Sequence, residues 1–179
     1  MKFWKDSRWI DVNRFLKILA IVVLLITVAG AGAVLYGMTM LEPQVESVTV
    51  IATPAVQVQQ VFDETMSQVA HGTFAGAQFA GPDALAAQDC TFLTYTVRLA
   101  NRGFFPAEWI MLEVVPQQDA GGYDVLQLAD SRAHVLAANS VGDLSATILR
   151  AGDAENTARA LRIVCYVFGQ RVEVAAQAQ

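Results

Sequence analysis

The stretch CTFLTYTVRLANRGFFPAEWIMLEVVP, which runs from Cys90 to Pro116, decides the fold that this sequence predicts. Its first part alternates apolar and polar side chains, which is the pattern of a strand with one buried face. The apolar positions are Leu93, Tyr95, Val97 and Leu99, and the polar ones are Thr94, Thr96 and Arg98. After a turn at Asn101-Arg102-Gly103, the segment EWIMLEVVP alternates again. The stretch therefore predicts two consecutive strands of an antiparallel sheet.

Further strands follow at close spacing toward the C-terminus. We expect them at YDVLQLA (123–129), at Ala133–Ala137, at Asp143–Leu149, in ALRIVCYVFG (160–169) and in RVEVAA (171–176). The last two are expected to pair as a hairpin across Gly169-Gln170, a two-residue turn of the Gly-X kind. Many short strands separated by turns predict an all-β domain, either an antiparallel sandwich or a barrel.

The residues before Cys90 contribute a strand, a helix and a loop. Val45–Ala52 is β-branched and alternating, so it predicts a first strand. A short extra helix is expected at 55–70, because Thr53-Pro54 resembles a helix start and apolar residues then recur at helical spacing. The Gly- and Ala-rich segment 72–89 predicts a long loop. We therefore expect residues 42–89 to precede a sandwich core at 90–179, with residues 45–52 supplying its first strand.

An uncharged run from Ile18 to Leu41, ILAIVVLLITVAGAGAVLYGMTML, stands near the N-terminus. As a helix it would rise about 36 Å at roughly 1.5 Å per residue, enough to cross a hydrocarbon layer of about 30 Å. The sequence thus predicts a transmembrane helix at 18–41. The alternative is a signal peptide cleaved after Ala31, because Ala29-Gly30-Ala31 has the small residues that signal peptidase favours. Apolar residues continue past Ala31, which favours an uncleaved anchor.

The charges around this run indicate its orientation. Lys2, Lys5, Arg8, Arg14 and Lys17 precede it, and the next basic residue is Arg98. The positive-inside rule then predicts a cytoplasmic N-terminus and an extracytoplasmic C-terminal domain in the cell membrane. The basic segment 1–17 is either a short interfacial helix or a disordered tail. The net charge of −5 argues against nucleic acid as a partner, since phosphates require a basic surface.

Small residues recur every four positions within the apolar run, at Ala29, Ala33 and Gly37. Such spacing places them on one helix face, where they let a second membrane helix approach closely. The functional interpretation is helix–helix association, either with a second copy or with a larger membrane protein. The alternative is that Ala and Gly are simply common in membrane helices.

The segments YTVRLANRGFFPAEWIMLEVVP and VGDLSATIL resemble the extracellular immunoglobulin-like modules of bacterial surface proteins. In those modules a strand ends in an Asn-x-Gly turn and the next strand carries alternating apolar residues. The resemblance covers roughly Cys90 to Val174 and concerns the fold. It implies an immunoglobulin-like sandwich whose loops and sheet faces bind other proteins.

The chain has two cysteines, Cys90 and Cys165, both in predicted strands. An extracytoplasmic domain permits a disulfide, so we expect them to be bonded. The bridge would close a loop of about 75 residues and stabilise the fold by roughly 4 kcal/mol. The alternating pattern stands against it, because Cys90 shares a face with Thr94 and Thr96. A bridge through the core would require a bulge near Thr91, and the alternative is two buried thiols.

No catalytic, cofactor-binding or metal-binding residues are predicted. His71 and His134 are the only histidines, and neither has a metal-ligand spacing. The sequence therefore favours a non-enzymatic protein-binding, adhesion or scaffold module held at membrane lipid. The candidate partner-binding residues are Phe104, Phe105 and Trp109, although Phe105 and Trp109 could instead lie in the core. The alternative function is a small accessory subunit of an envelope complex for transport, secretion or assembly, docking through its transmembrane helix.

Overall fold

The computed structural model describes residues 6–39, 42–81, 85–129, 134–152 and 157–178. The chain divides into two compact units, Met1–Met40 and Leu41–Gln179. The first unit contains helix α1 (Asp6–Thr39). The second contains α2 (Gln59–Ala70), two short 3₁₀ helices (Ala55–Val58 and Ala87–Asp89) and the strands β1 (Gln44–Pro54), β2 (Ala77–Gln78), β3 (Cys90–Asn101), β4 (Ala107–Val114), β5 (Gln118–Asp119), β6 (Gly122–Gln127), β7 (His134–Leu136), β8 (Ser140–Gly152), β9 (Arg159–Val167) and β10 (Gln170–Ala178).

Helix α1 is a single uninterrupted helix, and its segment Arg14–Tyr36 is long and apolar enough to cross a membrane. The predicted apolar helix is therefore confirmed, but it begins at Asp6 rather than at Ile18. The described basic residues before Ile18 belong to the same helix, and residues 1–5 lie outside the described residues. The helix ends before Pro43, whose ring cannot continue an α-helix.

The strands of the second unit form two antiparallel sheets. The first sheet has the order β1-β3-β8-β6-β2, with β5 also paired to β6, and the second has the order β10-β9-β4-β7. The predicted all-β fold is thus confirmed as an antiparallel, sandwich-like arrangement. The strand expected at 133–137 is β7, of which Ala133 lies outside the described residues.

The main core lies between the two sheets and follows from the period-two pattern. Tyr95 in β3, Ile148 in β8 and Ile163 in β9 are fully buried there. Tyr95 alternates with more exposed neighbours, whereas Ile148 and Ile163 are each followed by a buried residue, Leu149 and Val164. Burying one such side chain stabilises a fold by about 1.5–3 kcal/mol relative to leaving it exposed. The alternation read from the sequence of β3 therefore assigned the buried face correctly.

A second apolar cluster lies on the outer face of the first sheet, under α2. Phe62 of α2 packs there with Phe92 of β3 and Leu149 of β8. The helix expected at 55–70 is confirmed, with its first turn formed by the 3₁₀ helix Ala55–Val58. The first sheet is thus covered on both faces near this end.

The expected disulfide between Cys90 and Cys165 is wrong. Both cysteines are buried and free, and they belong to different clusters: Cys90 lies under α2, whereas Cys165 lies between the sheets. The register of β3 on β8 runs unbroken from Cys90–Ala151 to Asn101–Ser140. Without a bulge near Thr91, the side chain of Cys90 stays on the outer face of its sheet.

The β9–β10 hairpin is confirmed, but its turn is one residue earlier than predicted. Val167 pairs with Gln170, so the two turn residues are Phe168 and Gly169. Both have positive φ, +50° and +74°, as a type I′ turn requires. Such a turn favours Asn-Gly, and a phenylalanine at its first position is unusual.

Candidate functional site

Exposed apolar side chains gather on the outer face of the second sheet. Trp109 and Met111 of β4, Tyr166 of β9 and Val135 of β7 all point away from the core. We call these four residues the aromatic face. Charged residues lie at its border, where Arg162 donates to Glu113 at 2.9 Å and Glu108 lies opposite Tyr166. The face therefore offers an apolar surface with a polar border, as protein-binding surfaces do.

Trp109 occupies a β-bulge. The register of β4 shifts between Glu108 and Met111 against β9, and between Ala107 and Ile110 against β7. Trp109 has φ +51° and its side chain is 65% exposed. Left-handed backbone costs a non-glycine residue roughly 1–2 kcal/mol, and bulges commonly re-aim a side chain next to a functional site. The bulge thus turns the indole outward at the expense of local stability.

A second group of aromatic side chains lies at the end of the sandwich where β3 meets β4 and β9 meets β10. Phe104 and Phe168 are 67% and 69% exposed, and the half-buried Phe105 contacts Phe168 with ring centroids 4.7 Å apart. We call these three residues the aromatic end. Since Phe105 also packs against the main core, it fixes Phe168 to the fold.

Asn101 holds the β3–β4 loop in place. Its buried side-chain amide donates to the carbonyl oxygens of Phe105 at 2.8 Å, Leu136 at 3.2 Å and Ala137 at 3.1 Å. Its Oδ1 accepts from the backbone N–H of Gly103 at 3.0 Å. Sequence reasoning identified only a turn here. The Asn-x-Gly pattern, typical of a side chain that bonds its own backbone, was the available signal.

A groove of about 550 Å³ runs along the edge of β4 beyond its pairing with β7. Met111, Phe79 and Leu128 are among its walls. Here the side chain of Gln127 acts as a substitute strand: its amide nitrogen donates to Leu112 O at 2.8 Å, and its Oε1 accepts from Val114 N–H at 3.0 Å. This pairing caps an edge that would otherwise present open backbone groups to a second chain.

A buried ionic cluster closes the opposite end of the sandwich. Asp124 is fully buried and accepts from Arg159 Nε at 2.8 Å and from Arg150 Nη1 at 3.4 Å. Arg150 also donates to Asp119 at 2.6 Å, and Arg159 to Gln117 at 3.0 Å. Across the described residues, every buried side-chain nitrogen and oxygen atom has a hydrogen-bond partner. Two arginines thus face two aspartates, which makes the burial of their charges tolerable.

The ionic cluster and the core around it alter several pKa values. Burial by itself lowers the pKa of Arg159. The hydrogen bond to Asp124 and the charge of Asp124 raise the pKa by more than burial lowers it, so the net shift is upward. Burial raises the pKa of Tyr95 to about 12, and Arg159 opposes this rise in part. Tyr95 donates to the carbonyl of Thr157 at 2.9 Å, so it remains a protonated donor at neutral pH. Arg159 and Tyr95 therefore stay protonated at neutral pH, and their hydrogen bonds serve the fold.

The two thiols are likewise protonated at neutral pH. Burial, followed by the charge of Asp89, raises the pKa of Cys90 to about 11, and burial raises the pKa of Cys165. Because the thiolate is the reactive form, neither cysteine is poised as a nucleophile.

The structure brings together two of the three candidate partner-binding residues, Phe104 and Phe105, at the aromatic end. Trp109 lies on the adjacent aromatic face, so the alternative that it belongs to the core is wrong. Ala29 and Ala33 are exposed in α1, which also includes Gly37. Sequence reasoning missed Phe168, Tyr166 and Met111, which reach the same surfaces through strand pairing.

Within the part of the chain that the structure describes, no group of three His, Cys, Asp or Glu residues could hold a metal ion. No protein-family model matches the sequence, and no curated protein matches it either.

Proposed function

We propose that this chain is a single-pass membrane protein whose extracytoplasmic β-sandwich binds another protein through the aromatic face, as an adhesion or scaffold module without catalytic activity. The observation that carries the proposal is Trp109, which is 65% exposed on left-handed backbone. A solvated residue at this position would favour Asn or Gly. A tryptophan held outward there is best explained by a partner that buries it, since tryptophan is prominent among binding hot spots.

The order of the strands supports an immunoglobulin-like identity for the sandwich. The constant-type immunoglobulin domain places its strands in the order ABED on one sheet and CFG on the other. Here β1-β3-β8-β6 corresponds to the first sheet and β10-β9-β4 to the second, with β7 added at the edge of β4. This family of folds commonly uses its sheet faces and loops to bind other proteins.

Helix α1 and the charges of the chain support the membrane anchor. The span Arg14–Tyr36 has the length and apolarity that a bilayer requires. Basic residues are concentrated before its apolar part, which favours a cytoplasmic N-terminus. The sandwich is then expected outside the cytoplasm, where a protein-binding surface would meet partners from the cell exterior or envelope.

The test is capture of partners by the full chain from gently solubilised membranes, comparing the wild type with Trp109→Asn. Asparagine suits the left-handed backbone, so the fold is retained while the indole is removed. Loss of a hot spot costs about 2 kcal/mol or more, which is roughly a thirtyfold weaker Kd. Ile51→Thr is the matched control, because Ile51 is an exposed apolar residue of the other sheet, 62% exposed. Equal loss of partners in both variants would contradict the proposal.

The second candidate function is an accessory subunit that docks through α1, favoured by the exposed Ala29 and Ala33 on one face of the helix. Ala33→Leu should then abolish co-purification of membrane proteins, because the larger side chain prevents close helix approach. Ala31→Leu is the control, since Ala31 lies on the opposite face. If Ala33→Leu keeps all its partners while Trp109→Asn loses them, the docking is through the sandwich.

A further inference from the structure

The linker between the two units is short. Residues 40–43 join Thr39, the last residue of α1, to Gln44, the first residue of β1. Consecutive Cα atoms are 3.8 Å apart, so five steps reach about 19 Å at most. This limit comes from the covalent chain alone and holds for every arrangement of the two units.

The aromatic end of the sandwich is the end at which β1 begins. Gln44 pairs with Ala100, next to the β3–β4 loop that carries Phe104. Arg102 of that loop forms an ion pair of 3.5 Å with Glu46 of β1. Phe168 joins the same end through its contact with Phe105. The covalent tether therefore leads directly to the end that displays these phenylalanines.

This end is apolar at its tip and has no excess of basic charge around it. Phe104 and Phe168 are 67% and 69% exposed, and Val141, which pairs with Ala100 at this end, is also exposed. Among the nearby charges, Arg102 pairs with Glu46 and Arg98 pairs with Asp143 at 3.8 Å, and the exposed Glu42 and Glu108 are acidic. Such a surface would gain from apolar burial and gains little from attraction to anionic headgroups.

We infer that Phe104 and Phe168 enter the headgroup and upper acyl region of the bilayer in which α1 is anchored. The headgroup layer is about 5–8 Å thick on each side, within reach of the tether. Aromatic side chains favour this region, and an apolar surface can bury about 5–10 Å into it. The left-handed backbone of Phe168, φ +50°, is consistent with a residue retained for an external contact. The contact with lipid leaves the aromatic face free for a protein partner.

The inference rests on the proposed membrane anchor, and its test separates the two. The full chain, with Trp4, Trp9 and Trp109 replaced by Phe, carries a single reporter, Phe168→Trp, in vesicles of pure phosphatidylcholine. Lipids brominated near the headgroup quench tryptophan within the interface. We expect them to reduce the emission of Phe168→Trp by about twofold, given insertion to interfacial depth. Phe104→Trp is the second reporter, in case Phe168→Trp disturbs the turn.

Val56→Trp is the control, because Val56 is an exposed apolar residue at the far end of the sandwich, beside the last residue pairs of β1. Its emission should be unchanged by brominated lipid. Equal quenching of Phe168→Trp and Val56→Trp would overturn the inference, because both ends of the domain would then contact lipid equally. Unquenched Phe168→Trp and Phe104→Trp in a chain that co-floats with the vesicles would overturn the inference and leave the anchor intact. A chain that fails to co-float would overturn the anchor itself. If Phe168→Trp is shielded from solvent in native membranes but not in lipid vesicles, the aromatic end binds a protein, and the inference is wrong.

Discussion

The two ends of the sandwich differ in what they bury and what they expose: one buries charged side chains, and the other exposes aromatic ones. At the ionic end, Asp124, Arg150 and Arg159 are almost entirely buried, and their charges are paired. At the aromatic end, Phe104 and Phe168 are exposed, and Phe168 lies on left-handed backbone. The first arrangement is tolerable only because each charge has its partner, so the fold depends on it. The second leaves most of two phenylalanine side chains in solvent, where an external contact can bury them.

The strongest test of this difference removes the central carboxylate of the ionic cluster. Asp124→Ala leaves Arg150 and Arg159 buried without that carboxylate, and breaking a buried ion pair in this way costs about 3–5 kcal/mol. We expect the free energy of unfolding, measured by urea denaturation, to fall by this amount. Glu113→Ala is the control, because its half-exposed pair with Arg162 contributes only about 0.2–1 kcal/mol. Similar losses in the two variants would remove the distinction between the ends.

Alkaline pH should lower the stability of the fold through Tyr95, which is buried near the ionic end. Tyr95 loses its proton near pH 10 when unfolded, but its pKa is about 12 in the fold. A pKa raised by folding stabilises the protein below the unfolded value, and that stability is lost as the pH rises through the folded value. We therefore expect the free energy of unfolding to fall between pH 10 and 12 by about 3 kcal/mol from Tyr95.

Urea denaturation across this pH range tests the role of Tyr95 directly. Tyr95→Phe should show a smaller fall than the wild type, because it has no phenol to ionise. Cys90, with its pKa raised to about 11, adds a fall that begins near pH 9 in both proteins. Parallel curves for Tyr95→Phe and the wild type would count against this account.

The aromatic surfaces should tolerate loss of their largest side chain. Trp109→Asn relieves left-handed backbone strain of roughly 1–2 kcal/mol and removes a mostly exposed indole. We expect the free energy of unfolding to stay unchanged or to rise by about 1 kcal/mol. Truncating a core aromatic residue instead costs about 3–5 kcal/mol. A loss of that size, measured by urea denaturation of Trp109→Asn, would show that the indole supports the fold.

The smallest expected effect is that of a reducing agent, which should leave stability unchanged. Cys90 and Cys165 are free thiols, whereas a bridge between them would contribute roughly 4 kcal/mol. The midpoint of urea denaturation should therefore be the same with and without dithiothreitol. A thiol reagent should react with both cysteines only after the protein unfolds. A midpoint that falls on reduction would show that Cys90 and Cys165 form a disulfide. The structure of β3 near Thr91 would then have to differ from the one described.

Sequence reasoning succeeded wherever the signal was local. The strands β1, β3, β4 and β8 follow from alternation, and α2 follows from helical spacing after Thr53-Pro54. The apolar helix followed from length and hydropathy, since every residue of such a segment contributes independently to its transfer into lipid. Even the argument against the disulfide was visible as the parity of Cys90 within β3.

The failures concern residues whose role depends on distant partners. Asp124 and Arg159 read as ordinary polar residues near turns, and only the packing of β6 against β9 makes them a buried pair. Alternation placed Trp109 on one face with Met111 and Glu113, but the pattern of one strand does not show that a bulge interrupts its pairing at Trp109. Phe168 was not among the predicted candidate residues, and only its contact with Phe105 places it at the aromatic end.

The sequence by itself determined the apolar helix, the β-rich character of the remaining chain and the buried face of its central strand. These follow from hydropathy and periodicity, which act over a few neighbouring residues. The tertiary structure decided that the thiols lie on opposite sides of a sheet, that four charges close one end and that aromatic residues remain exposed at the other. Those outcomes depend on register and on contacts between segments far apart in the chain, where a shift of one residue moves a side chain to the opposite face.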